Sequence, residues 1–388
     1  MIKVDILIVG GGPAGLLAAA NLGERHRVAL IERGVLGRTT KCWATTERRL
    51  QRHNLSDCIL HKAPAMYAGT FLGSNLTIPG DLAVVDDQAF LNLLIDRCAQ
   101  RNVLSLDKCN IINLRWIEER IRVETTRESY MTRLLIDASG GQSSLAATFR
   151  LHKLDGFLSC YGAHLSPISL HTPNVILAYV NQLGDPPPGI EVAPTSENSA
   201  YCMVFVYSRK LITQNSLASA FHQTCHHNPF FAMLPQTKIT LGKVGVVPVG
   251  RVQRQNLPGF ISLGEAGMVQ PPLMGTAFNE ILEHNDGICS HITRILEECR
   301  NVPAKPAYTY PPLKRLQDRI QLTLVRWLMN RNVEAFDKFV ELMSRLPAEA
   351  VFNFCSNELT CSDMFTVTAR LPAALLSVAM CGSRLPLQ

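Results

Sequence analysis

The sequence VGGGPAG fills residues 9–15, directly after the apolar residues 6–8. Its glycines at 10, 12 and 15 have the GxGxxG spacing of a strand, turn and helix that bind a dinucleotide. We expect Gly10 to permit the tight turn, Gly12 to let the backbone approach a pyrophosphate, and Gly15 to let the helix pack on the strand. The first unit of the chain is therefore predicted to hold a phosphate-bearing ligand.

The residues around this turn extend the prediction. An alanine- and leucine-rich helix is expected to begin at Pro13 and Ala14, so that its free N–H groups and dipole favour an anion. A second apolar run, residues 28–31, ends at Glu32 and Arg33, where an acid can accept hydrogen bonds from ribose hydroxyls. This pattern alone fits either FAD or NAD.

Two later strand ends are also followed by glycines. Residues 134–136 are apolar and precede the loop DASGG, and residues 260–263 precede GEAG. Ligands of open α/β sheets bind at such carboxyl ends of strands. Three strand ends of this kind favour FAD over NAD. The loop residues predicted to bind the cofactor are Asp137, Gly140, Gly264 and Glu265.

A further helix is expected to begin at Gly275 or Thr276, after a proline-rich bend. Its N-terminal amides would face partial negative charge, such as the N1 and O2 edge of a reduced flavin. We therefore count both residues among the cofactor-binding candidates.

The composition excludes several other classes of protein. The 388 residues are 47% hydrophobic and carry a net charge of +6, without runs of lysine and arginine, so a nucleic-acid partner is not indicated. The twelve cysteines form no CxxC pair and the sequence starts without a leader segment, which favours reduced thiols in a cytoplasm. No apolar run approaches the roughly 18 residues of a membrane span. Peripheral contact with a membrane stays open.

The element pattern predicts an α/β fold with a Rossmann-like FAD-binding domain, an antiparallel-sheet substrate domain and a helical C-terminal region. A β-hairpin at 111–116 and 121–126 is expected as a meander inserted into the first domain. The predicted boundaries are 1–150 with 245–300 for the FAD-binding domain, 151–244 with about 50–85 for the substrate domain, and 301–388 for the helical region.

The predicted substrate domain has few charges, so a hydrophobic small molecule is the expected substrate. Tyr201, Met203 and Phe205 alternate along one predicted strand and share a face, which would line an apolar pocket or form part of the core.

The chain resembles the lycopene cyclase family of FAD-dependent flavoproteins along most of its length. The resemblance lies in the N-terminal motif, in KCWATTERRL around Trp43, in GVVPVG and GEAG, and in the pattern of the helical end. It implies that Glu32 binds the adenosine ribose, that Glu265 binds a hydroxyl of the FAD ribityl chain or ribose, and that Gly275 and Thr276 meet the flavin edge. Trp43 is a catalytic candidate.

One departure from that family affects the chemistry. Its members carry an acidic FEET-type motif, whereas the segment taken to correspond here has Thr213 and Gln214. We therefore favour a redox FAD enzyme of monooxygenase, halogenase or dehydrogenase type acting on an isoprenoid or another secondary metabolite. The alternatives are a non-redox cyclase or isomerase that uses reduced FAD, with Glu280 or Glu265 as its acid, and a non-catalytic flavin-binding protein.

Three further sequence patterns bear on the source of electrons, on metal binding and on contact with a membrane. No second GxGxxG follows a strand, so NAD(P)H would bind transiently or a flavin reductase would deliver electrons. His222, Cys225 and His226 lie at helical spacing without a second ligand cluster, so no metal is predicted. A basic amphipathic stretch from about residue 308 would sit on anionic lipid or pack on the FAD-binding domain.

Overall fold

The computed structural model describes residues 1–39, 41–253, 257–298, 310–329 and 331–370. Its first layer is a five-stranded parallel sheet with the order β17-β11-β2-β3-β7. These strands are β2 (Ile6–Val9), β3 (Val28–Ile31), β7 (Leu104–Leu106), β11 (Leu134–Asp137) and β17 (Phe260–Ser262). Their runs of buried aliphatic residues are typical of parallel strands covered on both faces.

Helices cover one face of this sheet, and a small sheet covers the other. The helices are α1 (Pro13–Leu22), α3 (Asp87–Gln100) and α6 (Ala277–Glu298). The small sheet has the order β1-β10-β9-β8 and comprises β1 (Ile2–Lys3), β8 (Ile111–Ile117), β9 (Arg120–Thr125) and β10 (Ser129–Thr132). The predicted hairpin at 111–126 is therefore present and forms the third layer.

A mixed eight-stranded sheet forms the second half of the molecule, with the order β16-β12-β15-β14-β13-β5-β6-β4. All its neighbours pair antiparallel except β13 with β5. Its strands are β4 (Trp43–Thr46), β5 (Ile59–Thr70), β6 (Asn75–Val85), β12 (His152–Leu170), β13 (Val175–Val180), β14 (Gly189–Ser196), β15 (Ser199–Ser208) and β16 (Phe231–Val252).

The two faces of this large sheet have different coverings. Helix α5 (Gln214–His226) packs on one face, which we call the outer face. The opposite face, called the inner face, meets α7 (Pro312–Leu328), α8 (Val333–Ser344) and α9 (Ala348–Ser356). The remaining helices are α2 (Glu47–Arg52), α4 (Ser144–Thr148) and the segment 361–370.

The predicted fold class is confirmed, and the structure adds detail to the domain boundaries. Residues 59–85, expected to contribute to the substrate domain, supply β5 and β6 of the large sheet. The predicted boundary at residue 245 falls within β16, so 245–252 belong to the large sheet rather than to the parallel one. Within the predicted helical region, residues 301–309, 330 and 371–388 lie outside the described residues.

Candidate functional site

A cleft of about 640 Å³ lies at the carboxyl ends of the parallel strands. Its walls include the glycine turn from Gly10 to Ala14, the β3 end at Glu32 and Arg33, and the loop after β11. This is the location at which open α/β sheets bind ligands, and the volume suits a small molecule. The three glycine-containing strand ends, from β2, β11 and β17, therefore meet at one site.

The three glycines of the first motif occupy different environments. A Cβ atom on Gly15 would overlap the carbonyl oxygen of Gly10, and one on Gly10, where φ is +108°, would lie 2.8 Å from the Ser139 Cα. A Cβ atom on Gly12 would meet nothing within 4 Å. Gly10 and Gly15 thus serve close packing, whereas Gly12 borders the open space in front of the α1 N-terminus.

Glu32 is held at the rim of this space by the backbone. One carboxylate oxygen accepts a hydrogen bond from the Gly11 N–H at 2.7 Å, and the other accepts from the Gly34 N–H at 2.6 Å. Each carboxylate oxygen has further acceptor capacity. Glu32 is therefore positioned to accept hydrogen bonds from a ligand's hydroxyl groups.

Asp137 shapes the site without reaching it. The residue is fully buried, and its carboxylate accepts from the Ser139 hydroxyl at 2.6 Å and from the Ser143 hydroxyl. Ser143 in turn caps α4 by accepting from the Ala146 N–H. Both carboxylate oxygens of Asp137 already accept hydrogen bonds from these hydroxyls, and the residue does not line the cleft. The direct cofactor contact predicted for Asp137 is therefore corrected to a structural role. Gly140, at φ +84°, does line the cleft.

Glu265 lines the cleft opposite the first motif. Its carboxylate accepts from the Gly141 N–H at 3.1 Å and lies 3.7 Å from the Lys41 ammonium group. The preceding Gly264 has φ +58° and packs against Ala14, where a Cβ atom would lie 3.1 Å from the alanine Cβ. Glu265 therefore faces the ligand space, while Gly264 serves the contact between η2 (Gly264–Gly267) and α1.

The start of α6 carries an unpaired polar group. The Thr276 hydroxyl oxygen is buried and has no hydrogen-bond partner in the described part of the chain. Gly275 precedes it at φ +63° and packs on Leu158 of β12. A buried hydroxyl of this kind is costly unless a ligand or water completes it. Neither residue lines the cleft itself, although their neighbour Ala277 does.

Trp43 forms an aromatic part of the cleft wall. Its ring stacks on Phe278 of α6, with ring centroids 5.2 Å apart, and meets the edge of Phe90 at 5.8 Å. The position fits contact with a bound ring system. The catalytic role of Trp43 stays a prediction.

Glu280 points away from the cleft, so the structure gives no support to the predicted catalytic role. Its side chain is 1% exposed, lies 2.9 Å from the Lys314 ammonium of α7, and accepts a hydrogen bond from Asn357. The pKa of Glu280 is raised to about 7 by burial, against the lowering effect of Lys314. Glu280 instead joins α6 to the helices on the inner face.

The inner face of the large sheet carries the predicted pocket residues. Tyr201, Met203 and Phe205 lie on this face of β15, together with the buried Tyr207. Met203 and Phe205 are only half-buried, and Tyr201 is 8% exposed. The alternation along β15 is as predicted, and whether these residues contact a substrate stays a prediction.

One acid on this face escaped the sequence analysis. Glu191 of β14 pairs with Met203 across the strands, so both side chains point to the inner face. Burial raises the pKa of Glu191 to about 7. A single acid between apolar residues in GIEVAP, within a strand buried on its other face, was the signal that could have revealed it.

Comparison with known families agrees with this geometry. The family model described as "Lycopene cyclase protein" matches residues 5–380. The chain belongs to the lycopene cyclase family. No curated protein sequence matches it closely enough to count as a relative.

Solved structures with a fold similar to that of this lycopene cyclase family member include flavin-dependent enzymes. A geranylgeranyl bacteriochlorophyll reductase-like protein from Thermoplasma acidophilum is 15% identical, with a TM-score of 0.70 over 98% of this chain and 99% of that chain. The flavin-dependent brominase Bmp2 is 13% identical, with a TM-score of 0.70 over 95% and 98%. The halogenase PltM, in complex with phloroglucinol and FAD, is 12% identical, with a TM-score of 0.61. It covers 91% of this chain and 78% of that one.

In this lycopene cyclase family member, the segment predicted to correspond to the FEET-type motif lies at the start of α5. Thr213 caps α5 by accepting from the Ser216 N–H, and both Thr213 and Gln214 are exposed. Helix α5 packs on the outer face, so an acid at either position would lie on the far side of the sheet from Tyr201 and Met203. The absence of acids at 213 and 214 therefore says nothing about the acids of the inner face.

The site of this lycopene cyclase family member fits FAD. Gly12 leaves open space before a helix N-terminus, Glu32 and Glu265 present carboxylates on opposite sides, and Thr276 has an unpaired hydroxyl. The space at Gly12 suits a pyrophosphate, and the two carboxylates suit hydroxyl-bearing chains. The Thr276 hydroxyl suits a polar ring edge. The histidines and the cysteine considered for a metal do not converge, because His222 and His226 are exposed while Cys225 is buried.

None of the described helices is both long enough and apolar enough to cross a lipid bilayer.

Proposed function

We propose that this protein is an FAD-dependent oxidoreductase that acts on a hydrophobic small molecule, such as an isoprenoid or another secondary metabolite. The observation that supports this proposal is that the cleft lies next to the inner face of the large sheet. Leu158 and Cys160 of β12 lie between the α6 start and the aromatic residues of β15. A substrate on that apolar face would therefore lie next to the ring end of the cofactor.

The chain's own residues would bind and orient the reactants. The α1 N-terminus and Gly12 would hold the pyrophosphate, and Glu32 and Glu265 would accept hydrogen bonds from hydroxyl groups. The unpaired Thr276 hydroxyl, next to the cleft residue Ala277, would be available to a polar ring atom. When bound, FAD supplies hydride-transfer or oxygen-dependent chemistry. Tyr201, Met203 and Phe205 would exclude water from the substrate and orient it by shape.

A second function is favoured by the family match over residues 5–380. In that case the protein is a non-redox cyclase or isomerase that holds reduced FAD and moves protons rather than electrons. Glu265 borders the cleft, but its carboxylate is paired with Lys41. Burial raises the pKa of Glu191 to about 7, and Glu191 has no such partner among the described residues, so it is the better acid for this alternative.

Consumption of co-reactants separates the two functions. With purified FAD-loaded protein and a substrate obtained from an isoprenoid extract, the redox function predicts substrate-dependent consumption of O2 or NAD(P)H. Electrons would come from transiently bound NAD(P)H or from a partner flavin reductase, which is added in a parallel reaction. Product formation with neither co-reactant consumed contradicts the redox function and supports the cyclase.

We also propose peripheral contact with an anionic membrane, which would suit a lipophilic substrate. The exposed side of α7 presents Leu316 and Trp327, which are 43% and 41% exposed, together with Arg315 and Arg319. Apolar and basic residues on one exposed helix face suit an anionic lipid surface.

Replacing Trp327 by glutamate is expected to reduce sedimentation with phosphatidylglycerol vesicles several-fold, because it removes apolar area and adds a repelled charge. Trp116→Glu is the matched control, since Trp116 is similarly exposed on the small sheet. Equal sedimentation of the Trp327 variant and wild type would contradict the proposed contact.

A further inference from the structure

Glu191 has an unusual environment for a carboxyl group. It stands between Gly189 and Ala193 on the inner face of β14, in the interior of an eight-stranded sheet. Within the described part of the chain it has neither a hydrogen-bond partner nor an ion-pair partner. Its side chain nevertheless keeps some accessible surface.

The groups that face Glu191 come from three elements. They are Cys160 of β12, Tyr201 and Tyr207 of β15, and Cys42 just before β4. Burial is the main cause that raises the pKa of Cys42 and of Cys160, and the Glu191 carboxylate is the second cause. The pKa of both tyrosines is raised by burial, by the cysteines and by Glu191. All four groups are neutral near neutrality, so none of them neutralises an ionised Glu191.

This acid lies beside the cofactor cleft. The charges of Glu191, Lys41 and Glu265 all affect the pKa of Cys160, and Lys41 and Glu265 line the cleft. Asp87 is a further charge in the region, since it contributes to the raised pKa values of Cys42 and Tyr201. Cys160 is thus within electrostatic range of both Glu191 and the cleft charges, and Glu191 shares the inner face with Met203 and Phe205.

An apolar molecule bound on the inner face would bury Glu191 without a partner. A site with a buried polar group strongly rejects analogues that leave the group unpaired. We propose that Glu191 is a specificity-determining residue that forms a hydrogen bond with a hydroxyl, carbonyl or ether oxygen of an otherwise apolar substrate. This rests on the proposed function, because it assumes that the substrate occupies the inner face. It assigns the substrate class as an apolar molecule with one oxygen function near the flavin.

Binding of matched fifteen-carbon probes to the FAD-loaded protein tests this assignment. We expect farnesol to bind at least about tenfold more tightly than farnesene, a difference in binding free energy of ~1.4 kcal/mol. Calorimetry and the change in flavin absorbance measure both dissociation constants. Glu191→Gln should retain the preference, because an amide also forms hydrogen bonds. Glu191→Leu should lose or reverse it. Glu197→Gln, in the exposed turn after β14, should behave as wild type.

The pH dependence gives a second readout. An ether oxygen only accepts hydrogen bonds, so farnesyl methyl ether needs the protonated carboxyl group. Its affinity for wild type should fall as the pH rises through about 7, where Glu191 loses its proton. Farnesol, which can also donate, should lose less affinity. With Glu191→Gln the affinity for the ether should be constant over the same range.

The outcomes distinguish this proposal from the function on which it rests. If farnesol and farnesene bind equally to wild type, the hydrogen-bonding role of Glu191 is wrong while the apolar substrate stands. If Glu191→Gln abolishes turnover without weakening farnesol binding, Glu191 transfers a proton instead, and the binding role is overturned. If neither probe binds to flavin-loaded protein, the apolar substrate class fails together with the proposal.

Discussion

Replacing Lys314 by methionine is expected to lower the free energy of unfolding by about 3–5 kcal/mol, because it leaves a buried carboxylate unpaired. Lys314 is 7% exposed, and its ammonium group lies 2.9 Å from Glu280 and 2.7 Å from Asp318. It provides the positive charge in contact with the fully buried Glu280. Loss of that charge weakens the junction between α6 of the FAD-binding half and α7 of the inner-face helices.

The effect of Lys314→Met should depend on pH in a defined direction. The pKa of Glu280 is raised above its ordinary value and is expected to rise further without the lysine. A group with a raised pKa in the folded state costs stability as the pH rises from its unfolded value through its folded value. The loss of stability should therefore be smaller near pH 5 than near pH 8, measured by urea unfolding.

Two controls separate the buried pair from a general loss of charge. Lys338→Met, at an exposed position of α8, should change stability by no more than about 0.5 kcal/mol. Adding Glu280→Gln to Lys314→Met should recover part of the loss, because the fully buried acid is then removed and the other acid beside the missing lysine, Asp318, is 34% exposed. A loss below about 1 kcal/mol in the single variant at pH 8 would show that the junction does not depend on this pair.

Substitutions at two glycines of the first motif should affect cofactor binding and folding stability to different extents. Gly12→Ala is expected to raise the dissociation constant of FAD by at least about tenfold, or ~1.4 kcal/mol, because the new methyl group enters the open space before α1. Gly12 has φ −80° and ψ −175°, which alanine adopts without strain. Stability should fall by about 1 kcal/mol at most, through the helix N-cap.

Gly15→Ala is the matched comparison. Its methyl group would overlap the Gly10 carbonyl oxygen within the α1 contact with β2, so the strand and helix must separate. We expect a loss of stability of about 1–3 kcal/mol from this overpacking, with weaker FAD binding as a consequence. Fluorescence titration with FAD and urea unfolding measure both quantities. Unchanged FAD affinity in Gly12→Ala would contradict the placement of the pyrophosphate.

The sequence predicted the parallel sheet and the nucleotide motif well because their signals are local. Apolar runs, glycine spacing and the acid at Glu32 all lie within about one strand–turn–helix unit. Residues 59–85, predicted to contribute to the substrate domain, supply two strands of the large sheet. The predicted boundary at 245 falls within one long strand, β16.

The side chains of the site were harder to predict because their direction depends on distant elements. Asp137 follows a strand end as a ligand-binding acid would, yet Ser139 and Ser143 occupy its oxygens. Glu280 lies on the helix of the site but faces Lys314, which comes from a later helix. Glu191 is a single acid in the apolar segment GIEVAP, but its contact with the inner-face residues follows only from the pairing of β14 with β15.

The cofactor content of the purified wild-type protein tests the central claim most directly. The protein is saturated with FAD, freed of excess by gel filtration and heated, and the released flavin is identified by chromatography. We expect about one FAD per chain, with a much lower content in Gly12→Ala prepared in the same way. A wild-type protein that retains no FAD, or retains NAD instead, would contradict it.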